Sequence, residues 1–266
     1  MKHRLILAVV LICALVGAGP AQAESESGTR AAYNGSLSRY MVTVRDNCTG
    51  SVINGSMSVV TSAHCVVVDG KLVSNIKVWI RGKEYWAENV SVDLDWRSKG
   101  VLDDVAILWF KTPLPAPYLS LATGFASGPY TALGNQMMGA NKVILGRPGG
   151  PVGWSPLIGA QADPEYPRAT KPTSFRLSAC TLPAVALQVF ADGRYGYPCG
   201  MIMGASGGGL IARTSTGYAL HGVIQAVYDR DLRNIAIPAS TVREYLYGIK
   251  GSIHTPQLPK PAKNVR

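Results

Sequence analysis

The chain has 266 residues, of which 47% are hydrophobic and only 16% charged. That is enough apolar material for a large core and too much for a mainly disordered protein. Glycine (29) and proline (17) are abundant, a balance that suits short strands and turns and argues against a coiled coil or helical bundle. The formal net charge is +10, which favours contact with anionic surfaces but does not identify a chemistry.

In chain order, Lys2, His3 and Arg4 precede an apolar run from Leu5 to Val16, and the small-residue pattern Ala21, Gln22, Ala23 follows. This predicts a secretory signal over residues 1–23, because the run is shorter than the roughly 20 apolar residues that span a bilayer. The mature chain is then expected to lack a transmembrane segment and to carry 24 basic minus 16 acidic residues, or +8. Cys13 leaves with the signal, and the four remaining cysteines, Cys48, Cys65, Cys180 and Cys199, are an even set in an exported protein. Three pairings are open, and the simplest joins Cys48 to Cys65 and Cys180 to Cys199. With no Cys-x-x-Cys pair in the sequence, zinc is the weaker reading and no metal is expected. Sequons at Asn34, Asn47, Asn54 and Asn89 have meaning only where the source glycosylates.

After a polar start from Glu24 to Arg30, strands are expected near Tyr40–Val44, Gly50–Ile53, Ser58–Thr61, Ile76–Ile80 and Val105–Phe110. A stretch rich in Pro, Ser and Thr, from Thr112 to Gly124, separates these from candidates near Lys142–Leu145, Ser174–Leu177, Gly208–Ala212, Tyr218–Ala226 and Asn234–Ile237. The pattern predicts two β units, residues 24–115 and 116–250. The second closes with a short helix capped by Thr241 and Glu244, with Val242, Tyr245 and Leu246 on its apolar face. Residues 251–266 contain Pro256, Pro259, Pro261, Lys260, Lys263 and Arg266 and are expected to form a basic, solvated tail.

Three separated segments carry the chemistry: Thr61-Ser62-Ala63-His64-Cys65, then Asp104-Val105-Ala106-Ile107-Leu108, then Gly204-Ala205-Ser206-Gly207-Gly208. A serine hydroxyl is a weak nucleophile until an imidazole takes its proton, and that imidazole needs a buried carboxylate to fix its tautomer. Ser206, His64 and Asp104 fit these roles, with Asp103 as the alternative acid; His221 and His254 are left to structure or solvent. Singly, each residue has a structural explanation, and it is the ordered set that points to catalysis.

On these residues the chain resembles secreted bacterial serine endopeptidases of the chymotrypsin-fold, trypsin-like family, over nearly the whole mature sequence. The resemblance implies two packed six-stranded antiparallel β-barrels with a short C-terminal helix, and a cleft holding His64, Asp104 and Ser206. It also implies an oxyanion hole from the N–H groups of Gly204 and Ser206, protein or peptide substrates, and no cofactor. By the same resemblance the primary specificity pocket has its floor at Gly200 and its wall at Gln225, Ala226 and Val227. With no carboxylate at the floor and with Met201 and Val227 nearby, small or medium apolar side chains are expected there. The sequence departs from the digestive members at Ala205, where they carry the acid that pairs with a new N-terminal amine, and no Ile-Val-Gly-Gly start follows the signal. Both departures predict activity without such processing. Secretion and net positive charge favour contact with an anionic cell envelope, whereas no basic run with interleaved aromatics suggests nucleic acid. The competing expectation is an inactive homologue that uses the cleft to bind at the envelope.

Overall fold

A computed structural model of the chain describes residues 35–45, 48–138, 174–199, 204–228 and 233–257. The signal segment, the strand expected at Lys142–Leu145 and the pocket residues Gly200 and Met201 lie outside these. The regular structure is mostly β, gathered into two large curled sheets and one small hairpin, the chymotrypsin-type arrangement the resemblance implies.

The first sheet is built from six strands close in sequence: Met41–Val44, Cys48–Ile53, Ser58–Thr61, Lys77–Ile80, Asn89–Val92 and Ala106–Trp109. Two additions extend it to eight, the hairpin partner Lys83–Trp86 at one edge and Ser252–His254 at the other. Its strands are rich in Val and Ile, and Val44, Val52, Val59, Val78, Val90 and Leu108 are fully buried in one cluster. Alternation is clean in Met41–Val44, whereas Cys48–Ile53 and Ser58–Thr61 are buried on both faces. One face of these strands fills the first sheet, and the other meets the second sheet. Ile53, Val60 and Ile107 accordingly share a cluster with Leu133, Ile211, Leu220 and Ile237.

The second sheet runs Ser174–Leu182, Tyr130–Met138, Gly209–Thr214, Gly217–Tyr228, Arg233–Pro238, Tyr195–Tyr197 and Gln188–Val189 in spatial order. The Pro-rich stretch is more than a connector. Leu119 bridges to Ile53, and Ser120–Leu121 pairs in parallel with Ala219–Leu220.

Two expectations need correction. The helix spans Ala239–Leu246, starting two residues before Thr241, and no side chain caps it. Pro238 ends the preceding strand with extended backbone and leaves Thr241 inside the helix, where it is buried. Val242 and Tyr245 are fully buried, as the apolar face requires. Nor is the segment after Gly251 wholly a tail. Ser252–His254 forms antiparallel pairs with Val92, Ser91 and Val90, returning the chain to the first sheet.

Candidate active site

His64 stands on the single helical turn Ala63–Cys65 that follows the strand Ser58–Thr61. The turn is held on one side by the Cys48–Cys65 disulfide and on the other by Ser62, whose hydroxyl donates to the Ile224 carbonyl of the second sheet at 3.1 Å. The Cys180–Cys199 bridge is formed as well, so local closure is the pairing adopted. Both sulfurs of the first bridge lie close to the His64 imidazole, but as a disulfide they offer no thiolate to a metal.

Asp104 begins the run into the strand Ala106–Trp109 and is 1% exposed. Its two oxygens both serve His64. Oδ1 accepts from the His64 main-chain N–H at 2.8 Å, and Oδ2 lies 2.7 Å from Nδ1. An ionised carboxylate can only accept, so Nδ1 carries the proton in this bond and Nε2 is left as the other ring nitrogen. Trp96, itself buried, packs 6.2 Å from the imidazole centroid. Asp103, the alternative acid, points elsewhere. Its Oδ1 accepts from Lys250 Nζ and Tyr245 Oη, each at 3.3 Å, which ties the turn before Asp104 to the C-terminal helix and the residues after it.

Ser206 lies on the tight loop ahead of the strand Gly209–Thr214. Gly207 has a φ of +84°, and a Cβ there would overlap the Thr49 carbonyl and the Thr61 hydroxyl. Glycine is therefore required on two counts, backbone conformation and space. Gly204, also at positive φ (+95°), is buried. The Ser206 hydroxyl donates to the Gln225 carbonyl at 3.1 Å. The loop is further fixed by Gly207 N–H to Ile224 O at 2.7 Å and Thr49 N–H to Ser206 O at 2.8 Å.

Gln225 is placed beside Ser206, at an irregularity in the pairing of its strand with Arg233–Pro238. Its side chain, however, is buried and donates from Nε2 to the Val101 carbonyl at 3.1 Å, on the turn that leads to Asp104. Val227 continues the same strand, in pairing with Asn234. His221 is buried against Tyr130, with ring centroids 5.1 Å apart, in keeping with a structural assignment. Burial holds its pKa below the usual imidazole value, opposed by a bond to the Gly124 backbone. Thr49 and Val101 escaped sequence reasoning, and Thr61 and Ser62 were singled out only as neighbours of His64. The available signal was the presence of Ser and Thr in strands otherwise apolar, since fully buried hydroxyls must find partners.

The trypsin family model matches residues 26–136, which include His64 and Asp104. The described fold is similar to a Glu endopeptidase solved in complex with MPD (TM-score 0.57, 12% identity, covering 82% of this chain and 95% of that one). It is also similar to a thermostable serine protease, AL20, from an extremophilic microorganism (TM-score 0.52, 17% identity, 79% and 97% covered). The described residues have the chymotrypsin-type fold, and over residues 26–136 the chain is similar to the trypsin family. A third similar structure is the active form of the Rv3671c protease from M. tuberculosis (TM-score 0.50, 21% identity, 84% and 85% covered). No curated protein matches the sequence. Among the described residues, no helix is long and apolar enough to cross a membrane.

Proposed function

We propose that this protein is a secreted serine endopeptidase that cleaves peptide bonds through a His64, Asp104, Ser206 triad and an acyl-enzyme. The observation that carries the reading is the pair of hydrogen bonds that Asp104 accepts from His64, one oxygen from the main-chain N–H and one from Nδ1, which leaves Nε2 to act as a base. In the reaction His64 Nε2 takes the Ser206 proton as Oγ bonds to the substrate carbonyl carbon. The carbonyl π electrons move onto oxygen, which the N–H groups of Gly204 and Ser206 receive. The intermediate collapses with expulsion of the amine, which takes its proton from His64. Water then repeats the sequence, frees the acid and restores Ser206.

On specificity, no carboxylate stands at Gly200, the position that the family resemblance gives to the pocket floor, and Met201 and Val227 are apolar, which supports cleavage after small or medium apolar side chains. Ala205 is buried and carries no charge for an N-terminal amine to pair with, which supports activity of the mature chain without that step. The signal pattern and the two disulfides support secretion, and the basic charge supports contact with an anionic envelope.

The test is labelling of the mature protein with a fluorophosphonate, read by intact mass beside Ser206→Ala. One adduct per chain, absent from the variant, is expected. A folded, disulfide-intact protein that takes no label would refute the reading.

A further inference from the structure

Three consecutive carbonyls of the nucleophile loop are each occupied. The Gly204 oxygen accepts from Thr49 Oγ1 at 2.7 Å, the Ala205 oxygen from Gly208 N–H at 2.8 Å, and the Ser206 oxygen from Thr49 N–H at 2.8 Å. Thr49 supplies two of the three donors, and it does so from the first sheet, across the seam between the two halves of the molecule. Its hydroxyl is not free to turn. Oγ1 also accepts from the Asn135 N–H at 2.7 Å, so its single proton is committed to Gly204. The Thr49 carbonyl in turn accepts from Thr61 Oγ1 at 2.7 Å, and the residue is completely buried.

A loop of Gly-Ala-Ser-Gly-Gly has little side-chain mass of its own to set its backbone, and Gly204 can adopt several conformations at similar energy. In a trans peptide the N–H points away from the preceding residue's carbonyl, so the Ser206 N–H opposes the Ala205 carbonyl, and Thr49 fixes the Gly204–Ala205 and Ser206–Gly207 peptides on either side of it. Among the described residues, neither the Gly204 N–H nor the Ser206 N–H donates to a protein acceptor. They remain available for an incoming oxyanion.

We infer that Thr49 is a positioning residue that sets the oxyanion hole of this enzyme, its hydroxyl locking the Gly204–Ala205 peptide between the two N–H groups from the first sheet. The inference rests on Gly204 and Ser206 acting as proposed above. It assigns to an internal hydroxyl the shaping of a loop in which Ala205 offers no charge. Oxyanion contacts strengthen as negative charge develops, so misplacing them slows turnover and leaves ground-state binding nearly intact.

The experiment compares wild type, Thr49→Val, which keeps the shape without the hydroxyl, and Thr49→Ser, which restores it. Each is assayed on a peptide substrate and titrated with a peptide boronate that mimics the tetrahedral intermediate. Thr49→Val is expected to lose about 100-fold in kcat, with KM changed less than about threefold and boronate affinity falling in parallel with kcat/KM. Thr49→Ser should recover most of the loss. A folded Thr49→Val with kcat within threefold of wild type, or with its whole loss in KM, overturns the inference. So does failure of both Thr49→Val and Thr49→Ala to fold beside an active Thr49→Ser, which would assign the hydroxyl to stability alone. A wild type that neither hydrolyses peptide nor takes the fluorophosphonate would instead remove the proposed function, a result distinct from any of these.

Discussion

Ser206 gives its hydroxyl proton to the main-chain carbonyl of Gln225, 3.1 Å away. That carbonyl is aimed by a break in the regular pairing between Gly217–Tyr228 and Arg233–Pro238, and the Gln225 side chain runs on to Val101, three residues before Asp104. The serine therefore rests against the second sheet's own backbone, and in the proposed reaction its hydroxyl must turn from that acceptor toward His64 before attack. Serine and aspartate segments are joined through one glutamine.

Replacing Asp104 by Asn keeps the size of the side chain but allows an amide N–H to face Nδ1, which selects the wrong imidazole tautomer. The expected loss in kcat is about 10⁴-fold at neutral pH, with circular dichroism unchanged. Steady-state kinetics on a peptide substrate measure it, and a loss below tenfold would show that another group holds His64.

Gly207→Ala places a methyl group against the Thr49 carbonyl and the Thr61 hydroxyl at a positive φ. Neither neighbour can yield, because each is bonded into the seam. Stability should fall by about 3 kcal/mol or more, and fluorophosphonate labelling should vanish. Urea unfolding and intact mass read the two effects separately.

Much of this was legible in the sequence, and the reasons differ by element. His64, Asp104 and Ser206 stood out because each is a chemically distinctive residue beside an apolar strand or a glycine cluster. The two bridges followed from cysteines 17 and 19 residues apart. Tyr130–Met138 was missed because its Gly134 and Asn135 read as turn residues. Gly134 is there because Ala205 packs where its side chain would be, and Asn135 because its N–H and Nδ2 reach Thr49 and Thr43. Lys83–Trp86 was missed because a hairpin edge strand needs no buried face. Pairing of Ser252–His254 with the first sheet is a contact over some 160 residues, and no local pattern announces it.

The Cys48–Cys65 bridge closes a 17-residue span that contains the whole approach to His64. Changing both cysteines to Ser should lower stability by about 3 kcal/mol, seen as a shift of the urea midpoint. Labelling at Ser206 should slow as well, because the turn carrying His64 loses one of its two anchors.

His221 provides a pH signature. Its folded pKa lies below the unfolded value because burial disfavours the imidazolium. The unfolded chain thus binds the proton more readily, and the full contribution is present above about pH 6.5 and lost as pH falls toward the folded value. Unfolding free energy should drop between pH 7 and pH 5, and His221→Phe should flatten that part of the curve. An unchanged slope in the variant would assign the acid sensitivity to other groups.

The return of Ser252–His254 to the edge beside Asn89–Val92 means that the first sheet is sewn from both ends of the chain. The two sheets are then not separable pieces. A fragment ending after Trp109 would expose the edge of Asn89–Val92 and the apolar faces of Ile53, Val60 and Ile107, surfaces that invite aggregation. Co-expression of the two halves is the more promising route, since the second would bring the missing edge strand with it. Assembly of this molecule is a property of the whole chain, completed when one of its last segments docks onto strands made early in synthesis.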